Sequence, residues 1–479
     1  MTPNLAQTER PDAIIDACEE HEGLSIRQDV DDTGADAPPP RFSEEDLALR
    51  FTRQYKGELR YVAGWGRWMT WDGMRWREDT TLAVFDRCRS ICRRASAECG
   101  GAQMRAATKI AAAQTVVAIE RLARADRCHA AVVEQWDADP WLLNTPAGTV
   151  YLRTGKLHKH DREQYLTRMT ATDPRGDCPL WWRFLDRITD SNSELQAFLQ
   201  RVIGYCLTGS VNEHALFFLY GTGANGKSVF LSTIAGLLGD YAKTAPASAF
   251  TATSTEQHPT DVAGLRGARF VTAIETEDGR WWAEAKIKNL TGGDRITARF
   301  MRQDFFEYVP QFKLIVAGNH KPGLKNVDEA MRRRLHLVPF VVTIRRQERD
   351  PELAEKLKAE YPGILRWAIE GCLAWQREGL SPPEIARVAT EDYLSAEDSL
   401  GRWLEECCVT DRANWTSGAV LFASWRRWCE DNVEYAGSQK RFSQNLEVRG
   451  FAQKRSRTAR GFAGIVLQIG VTHATDGPV

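Results

Sequence analysis

The chain has 479 residues, with 63 Lys or Arg against 64 Asp or Glu and a hydrophobic share of 43%. That composition excludes collagen-like, low-complexity and wholly disordered chains, and at roughly 100–200 residues per domain it leaves room for about two to four domains. The longest apolar run, Ala215 to Tyr220, is far short of the ~20 residues of a membrane span, and the opening MTPNLAQTERPDAII lacks a basic start and apolar stretch. A cytoplasmic protein without a membrane partner is expected. The 11 cysteines are scattered, with no CxxC pair, which suits a reducing compartment and argues against structural zinc.

Charge is uneven along the chain. Residues 1 to 46 carry 13 acidic side chains against three Arg and run into DDTGADAPPPR, an expected disordered acidic leader over 1–41. A helical stretch from Phe42 is followed by GWGRWMTWDGMRWRED, in which Trp65, Trp68, Trp71 and Trp76 flank the turn signal Asp72-Gly73. This spacing predicts a β-hairpin, its tryptophans read as sheet core in preference to a base-stacking platform. Phe85 to Ala125 reads as helical, and Asp137 with Asp139 as turn-formers rather than a metal pair.

The strongest motif is Gly221-Thr222-Gly223-Ala224-Asn225-Gly226-Lys227-Ser228, which matches GxxxxGK[ST] between an apolar strand and an apolar helix. The glycines let backbone N–H groups turn inward around a β-phosphate, Lys227 suits the β- and γ-oxygens, and Ser228 suits Mg²⁺. The run ARFVTAIETED predicts a strand that delivers Glu275 and Glu277, carboxylates for the Mg²⁺ shell and the attacking water; Glu275 is taken as a metal candidate, and which of the two orients the water stays open. FKLIVAG predicts another strand, ending in Asn319 as a γ-phosphate sensor. Arg333 and Arg334, in AMRRRL, are the arginine-finger candidates, and the choice between them stays open. No NKxD base-recognition motif is present, so ATP is favoured over GTP.

From Ser399 onward three helix-like stretches and two strands around a basic turn follow a winged-helix order. Lys440 and Arg441 fall on its third helix, and Lys454, Arg455, Arg457 and Arg460 on the wing, as DNA-phosphate contacts. From Gly437 to Gly461 there are seven basic residues against one acid.

The order GTGANGKS, AIETED, KNLTGGDRITARF, KLIVAGNHKP and EAMRRRLHLVPF resembles the superfamily 3 helicases, specifically the phage and plasmid primase-helicases related to the poxvirus enzyme. The similarity continues upstream from about Gln135 to Phe198 and downstream through PGILRWAIEGCLAWQREGL. It implies an AAA+-like ATPase in a hexameric ring, with ATP between subunits and single-stranded or forked DNA in the pore. It also implies a pore hairpin in ITARFMRQDFFEYV, where Arg295, Arg299 and Arg302 would meet phosphates, and a lysine motif at Lys288.

The fold class expected is α/β, a P-loop ATPase core with a helical or mixed N-terminal domain and a C-terminal winged-helix domain. Boundaries are expected at 42–185 for the N-terminal domain, 186–345 for the motor, 346–395 for a helical lid and 396–479 for the winged helix. About 85 residues precede the helical segment leading to the motor, too few for the family's primase domain, so a separate primase or replication initiator is an expected partner. Two rival functions remain: a P-loop kinase, and an ATP-switched origin-binding or regulatory protein that does not unwind DNA.

Overall fold

The computed structural model describes residues 38–99, 104–252, 260–274, 280–302, 304–324, 327–411, 414–455 and 459–468. The expected leader lies almost wholly outside them, as do Glu275, Glu277 and Arg457. Contacts divide the chain into two units. One comprises the described residues up to Gln54 together with Phe85–Ala123; the other comprises Tyr55–Val84 and the described residues from Arg124 onward.

The first unit is helical: α1 (Glu44–Tyr55), most of α2 (Ala83–Glu98), α3 (Met104–Ile110) and most of α4 (Ala113–Ala125). In α2, Cys88, Ile91, Cys92 and Ala95 recur at helical spacing, and all are buried. Arg50 of α1 pairs with Glu98 of α2 at 2.9 Å, and Ser96 Oγ donates to the Ala107 carbonyl at 3.0 Å.

The second unit opens with a small sheet of β1 (Leu59–Val62), β2 (Arg67–Trp71), β3 (Trp76–Glu78) and β4 (Ala130–Ala131). The hairpin between β2 and β3 turns at Asp72-Gly73, where Asp72 Oδ1 accepts from the Met74 and Arg75 amides and Gly73 sits at φ +99°. Trp68 and Trp76 are buried, and Trp76 stacks on Tyr165 at 6.2 Å, so these tryptophans are core. Asp139 accepts from the Trp141 amide two residues on at 2.8 Å, as a turn-former does, whereas Asp137 accepts from the distant Thr167 amide at 2.8 Å and ties two segments together. A second antiparallel sheet, β5 (Leu142–Thr145), β6 (Gly148–Tyr151) and β7 (Lys156–His158), completes this part.

Then come α5 (Pro179–Ile188), α6 (Ser193–Leu207), β8 (Leu216–Tyr220), α7 (Lys227–Leu238), β9 (Ala242–Thr244), α8 (Thr260–Ala263), β10 (Phe270–Ile274), α9 (Glu284–Thr291), β11 (Ile296–Ala298), β12 (Phe306–Tyr308), β13 (Lys313–Gly318), α10 (Glu329–Arg332) and β14 (Leu335–Pro339). Five of these strands form one parallel sheet in the order β14-β8-β13-β10-β9. Side chains alternate across it. Phe217, Leu219, Ile315 and Val338 join the core containing α6 and α7, whereas Leu216, Phe218, Leu314 and Leu337 face the one containing Ile287 and Leu290 of α9. Burial on both faces explains why these strands read as unbroken apolar runs.

Helices α11 (Leu353–Lys358), α12 (Tyr361–Glu378) and α13 (Glu384–Glu397) follow. α12 lies against α6 at backbone distance. A Cβ on Gly204 would sit 2.1 Å from the Cys372 amide nitrogen, and one on Gly371 would sit 2.1 Å from the Gln200 carbonyl oxygen. Ala normally outranks Gly inside a helix by about 1 kcal/mol. Here overlap with main chain reverses the order, and Gly204→Ala or Gly371→Ala is expected to destabilise by about 2 kcal/mol or more, read as a fall in denaturation midpoint. An unchanged midpoint would mean the helices separate freely.

Two buried cations sit at the opposite edge of the sheet from the glycine-rich loop. Arg269 donates to the carbonyls of Leu207 (2.7 Å) and Leu142 (2.8 Å), and Lys313 to those of Thr208 and Ser210. Apart from the Leu142 carbonyl of β5, these acceptors lie at and just beyond the end of α6, where positive charge suits the helix dipole. Burial pushes the Lys313 pKa down to about 7.

The chain ends in α14 (Ser399–Cys407), β15 (Cys408–Val409), β16 (Trp415–Ser417), α15 (Gly418–Asp431), α16 (Gln439–Val448), β17 (Gln453–Arg455), β18 (Arg460–Ala463) and β19 (Val466–Leu467). Leu400, Trp403, Leu421, Trp425, Phe442, Leu446 and Phe462 form their shared core. The observed class is mixed α/β with a central parallel sheet.

Candidate functional site

Three strand ends meet at the carboxyl edge of the parallel sheet, where Tyr220 of β8 lies in register with Gly318 of β13 on one side and Pro339 of β14 on the other. Ligands of open α/β sheets bind outside such edges. The loop Gly221–Gly226 starts there and leads into α7. Gly223 (φ +97°), Ala224 (φ +50°) and Gly226 (φ +86°) all adopt left-handed backbone, the geometry that turns successive N–H groups toward one point. A Cβ at Gly221 would strike the Phe340 carbonyl oxygen at 2.1 Å, and one at Gly226 would strike Ile188 at 2.5 Å. A Cβ at Gly223 would meet nothing within 4 Å, so that residue answers to its φ alone.

The loop is held from behind. Asn225, which is buried, donates from Nδ2 to the Phe340 carbonyl at 2.9 Å, and the Ile344 amide donates to the Ala224 carbonyl at 2.8 Å. Lys227, 7% exposed, extends its ammonium to the Gly221 carbonyl at 2.7 Å and to Asn319 Oδ1 at 3.3 Å. Burial lowers its pKa. Asn319 itself is exposed just past β13, as are Thr222 and Ser228 at the mouth. Lys227 and Asn319 are far apart in sequence, yet their side chains touch. The residues fit a polyphosphate: inward amides, a buried ammonium, an exposed hydroxyl at a helix N-terminus. Of the groups expected to hold Mg²⁺, Ser228 is exposed in the first turn of α7, and Glu275 and Glu277 fall outside the described residues.

The two candidate fingers differ sharply. Arg333 is exposed, whereas Arg334 is 7% exposed and donates to Thr291 Oγ1 (3.2 Å) and the Ala330 carbonyl (2.9 Å). Arg332 pairs with Glu391 at 3.2 Å and Asp398 at 3.5 Å. Lys288 is engaged with Asp328, which also caps α10 by accepting from the Met331 amide at 2.9 Å. The lysine thus braces the start of the short helix that carries the arginines, and the Lys288 bond holds the Asp328 carboxyl below the usual carboxylate range against the opposing effect of burial.

β11 and β12 pair antiparallel, giving the expected hairpin. Arg295 and Arg302 are exposed, and Arg299 lies over the Phe305 ring at 4.7 Å. The hairpin also carries exposed apolar side chains that the charge-based reading passed over: Phe300, Phe305 and Met301, the last 70% exposed. The signal was present as the FM and FF pairs of ARFMRQDFFEYV. In the C-terminal module Lys440, Arg441, Lys454, Arg455 and Arg460 are all exposed.

Comparison with known proteins agrees with this layout. Residues 48–190 match the family model described as D5 N terminal like, and residues 219–334 match a family of unknown function (DUF5906). The chain is 26% identical over 298 residues to the protein named "Putative helicase L207/L206" of Acanthamoeba polyphaga mimivirus, covering 57% of this chain and 30% of that one. It is 25% identical over 303 residues to "Putative helicase 022R" of Frog virus 3 (isolate Goorha), covering 58% and 30%. The chain thus spans under a third of the length of these relatives. Among solved structures, the apo A form of the NrS-1 C-terminal region covers 88% of this chain and 100% of that one at 8% identity and a TM-score of 0.47. The chain therefore joins a D5 N-terminal-like segment to a loop-bearing α/β domain. It is related in sequence to viral proteins that carry helicase names. Among the described residues, no helix is long and apolar enough to cross a membrane.

Proposed function

We propose that this chain is an ATP-hydrolysing DNA helicase of superfamily 3 that works as a hexameric ring in the replication of a phage, prophage or plasmid. The observation that carries the reading is the contact between Lys227 and Asn319 across neighbouring strand ends, beside a loop whose backbone is set for phosphate. In this reading the core is AAA+-like, and ATP with Mg²⁺ supplies the hydrolysable phosphoanhydride and the charge that neutralises it. The Gly221–Gly226 amides would bind the β-phosphate, Lys227 would neutralise the phosphate oxygens, Ser228 would hold the metal, and Asn319 would orient the γ-phosphate. Glu275 and Glu277 remain the proposed metal and water carboxylates.

Arg333 is the finger, offered to the site of a neighbouring subunit, and Arg334 is the buried anchor that aims it. The hairpin arginines Arg295, Arg299 and Arg302 contact the phosphates of a strand in the pore. The C-terminal module is a winged helix that holds DNA. The helicase names of the viral relatives support this reading. It is tested by displacement of a labelled strand from forked DNA, with forks carrying either a 3′ or a 5′ tail. Release that requires ATP is expected; ATP turnover without release would favour the ATP-switched binding protein.

A further inference from the structure

The C-terminal module joins the motor at Asp398, the single residue between α13 and α14. Before it, Tyr393 and Leu394 of α13 share a core with Leu335 and Leu337 of β14. After it, Leu400 and Trp403 of α14 belong to the core of the module. A cavity of about 950 Å³ opens beside this joint, lined by Lys321, Leu324 and Arg332 of the motor and by Trp425, Tyr435 and Arg449 of the module. Modules that face one another across a gap, without a broad apolar interface, shift relative to each other unless contacts at the joint fix them.

The Asp398 carboxylate holds both sides at once. Its Oδ2 pairs with Arg332 of α10 at 3.5 Å, while its Oδ1 accepts from Arg449, the residue after α16, and from the Gly401 amide at 2.9 Å. A side chain at position 401 would collide with this carboxylate, since a Cβ on Gly401 would lie 2.6 Å from Oδ2. Arg332 immediately precedes Arg333. The exposed Arg333 therefore stands between two anchored neighbours, Arg334 held by Thr291 and Arg332 held by Asp398 and Glu391. Beside Asp398, Glu397 accepts from the Leu324 amide at 2.8 Å, in the loop that leaves Asn319. Two consecutive junction residues thus grip the segments that carry the proposed sensor and the proposed finger.

We propose that Asp398 is a positioning residue for ATP hydrolysis: through Arg332 it aims the turn that presents Arg333, and through Arg449 it makes that aim follow the seating of the C-terminal module. This rests on the reading of Arg333 as the finger and adds the group that sets its direction. Two guanidiniums repel, and one shared anion holds both only while α10 and α16 keep their spacing. A shift of the module that draws Arg449 away frees the carboxylate to turn, and Arg332 with it. Misplacing a catalytic group by about 1 Å costs about 10² in rate.

The test uses the full chain and ATP turnover, with kcat and KM measured separately. Asp398→Asn removes the charge that pairs the two arginines but keeps a helix cap as good as aspartate, so the melting temperature is expected to change little. Arg449→Ala cuts the module side alone. Each is expected to lower kcat at least about tenfold with KM held within about twofold, because a finger acts on transition-state charge and not on nucleotide already held by the loop. In the Arg333→Ala chain neither change is expected to lower the residual turnover further, read as release of labelled phosphate. Full kcat in either variant, or losses that multiply with that of Arg333→Ala, would overturn the positioning role while leaving Arg333 as the finger. Full turnover by Arg333→Ala alone would overturn the finger and the positioning role together.

Discussion

Replacing Lys227 by alanine is expected to cut ATP turnover by at least about a hundredfold and to leave the denaturation midpoint nearly unchanged. The first half follows from position. The ammonium lies 2.7 Å from Gly221 O and 3.3 Å from Asn319 Oδ1, where it bridges the loop and the end of β13. The second half follows from its electrostatics. Lys227 is desolvated, its pKa is lowered by burial, and among the described residues it has no carboxylate partner. Removing a buried charge that lacks a counter-ion forfeits little stability. Steady-state hydrolysis and thermal melting on the same preparations separate the two effects. Retained turnover in the variant would sink the site assignment, and loss of both activity and fold would make Lys227 a structural residue.

The two neighbouring arginines are expected to fail in opposite ways. On the proposed ring, Arg333→Ala should reduce turnover by about a thousandfold at unchanged stability, because an exposed guanidinium contributes little to the fold of its own chain and an arginine finger is worth about 10³–10⁵ in rate. Arg334→Ala should destabilise the chain by about 1–3 kcal/mol, because it removes bonds to Thr291 Oγ1 and the Ala330 carbonyl in a buried setting. Mixing adds a diagnostic. Arg333→Ala subunits retain an intact loop, and Lys227→Ala subunits retain an intact finger, so a mixed population is expected to recover part of the hydrolysis that each variant lacks alone. Full activity of Arg333→Ala, or no recovery on mixing, would remove the finger from Arg333.

Much of this was legible along the chain. The loop motif is contiguous, so residue identity alone announces it, and its flanking strand and helix announce themselves by apolar runs too short to be anything else. The Asp72-Gly73 hairpin, the strands at Phe270 and Lys313 and the three C-terminal helices follow from local turn chemistry and periodicity, which need no partner. Glycine, proline and β-branched residues act on their own backbone, and that action is readable in place.

What the chain order could not decide is everything set by side chains meeting across elements. The motif named Asn225 as a loop residue; only the return of β14 beside β8 shows it clamped to Phe340. Arg333 and Arg334 are chemically identical in sequence, and adjacent positions on a helix end point in different directions. One meets solvent and the other Thr291, and that difference exists only once α9 is packed beneath them. Gly204 and Gly371 look like helix-weakening residues until α6 and α12 are brought to backbone contact. Lys288 and Asp328, 40 residues apart, become one brace for the same reason. Sequence therefore determined which chemistry the chain carries and where its elements begin. Tertiary packing alone decided which of two identical side chains is exposed and which is buried, because exposure belongs to the assembled fold rather than to any residue.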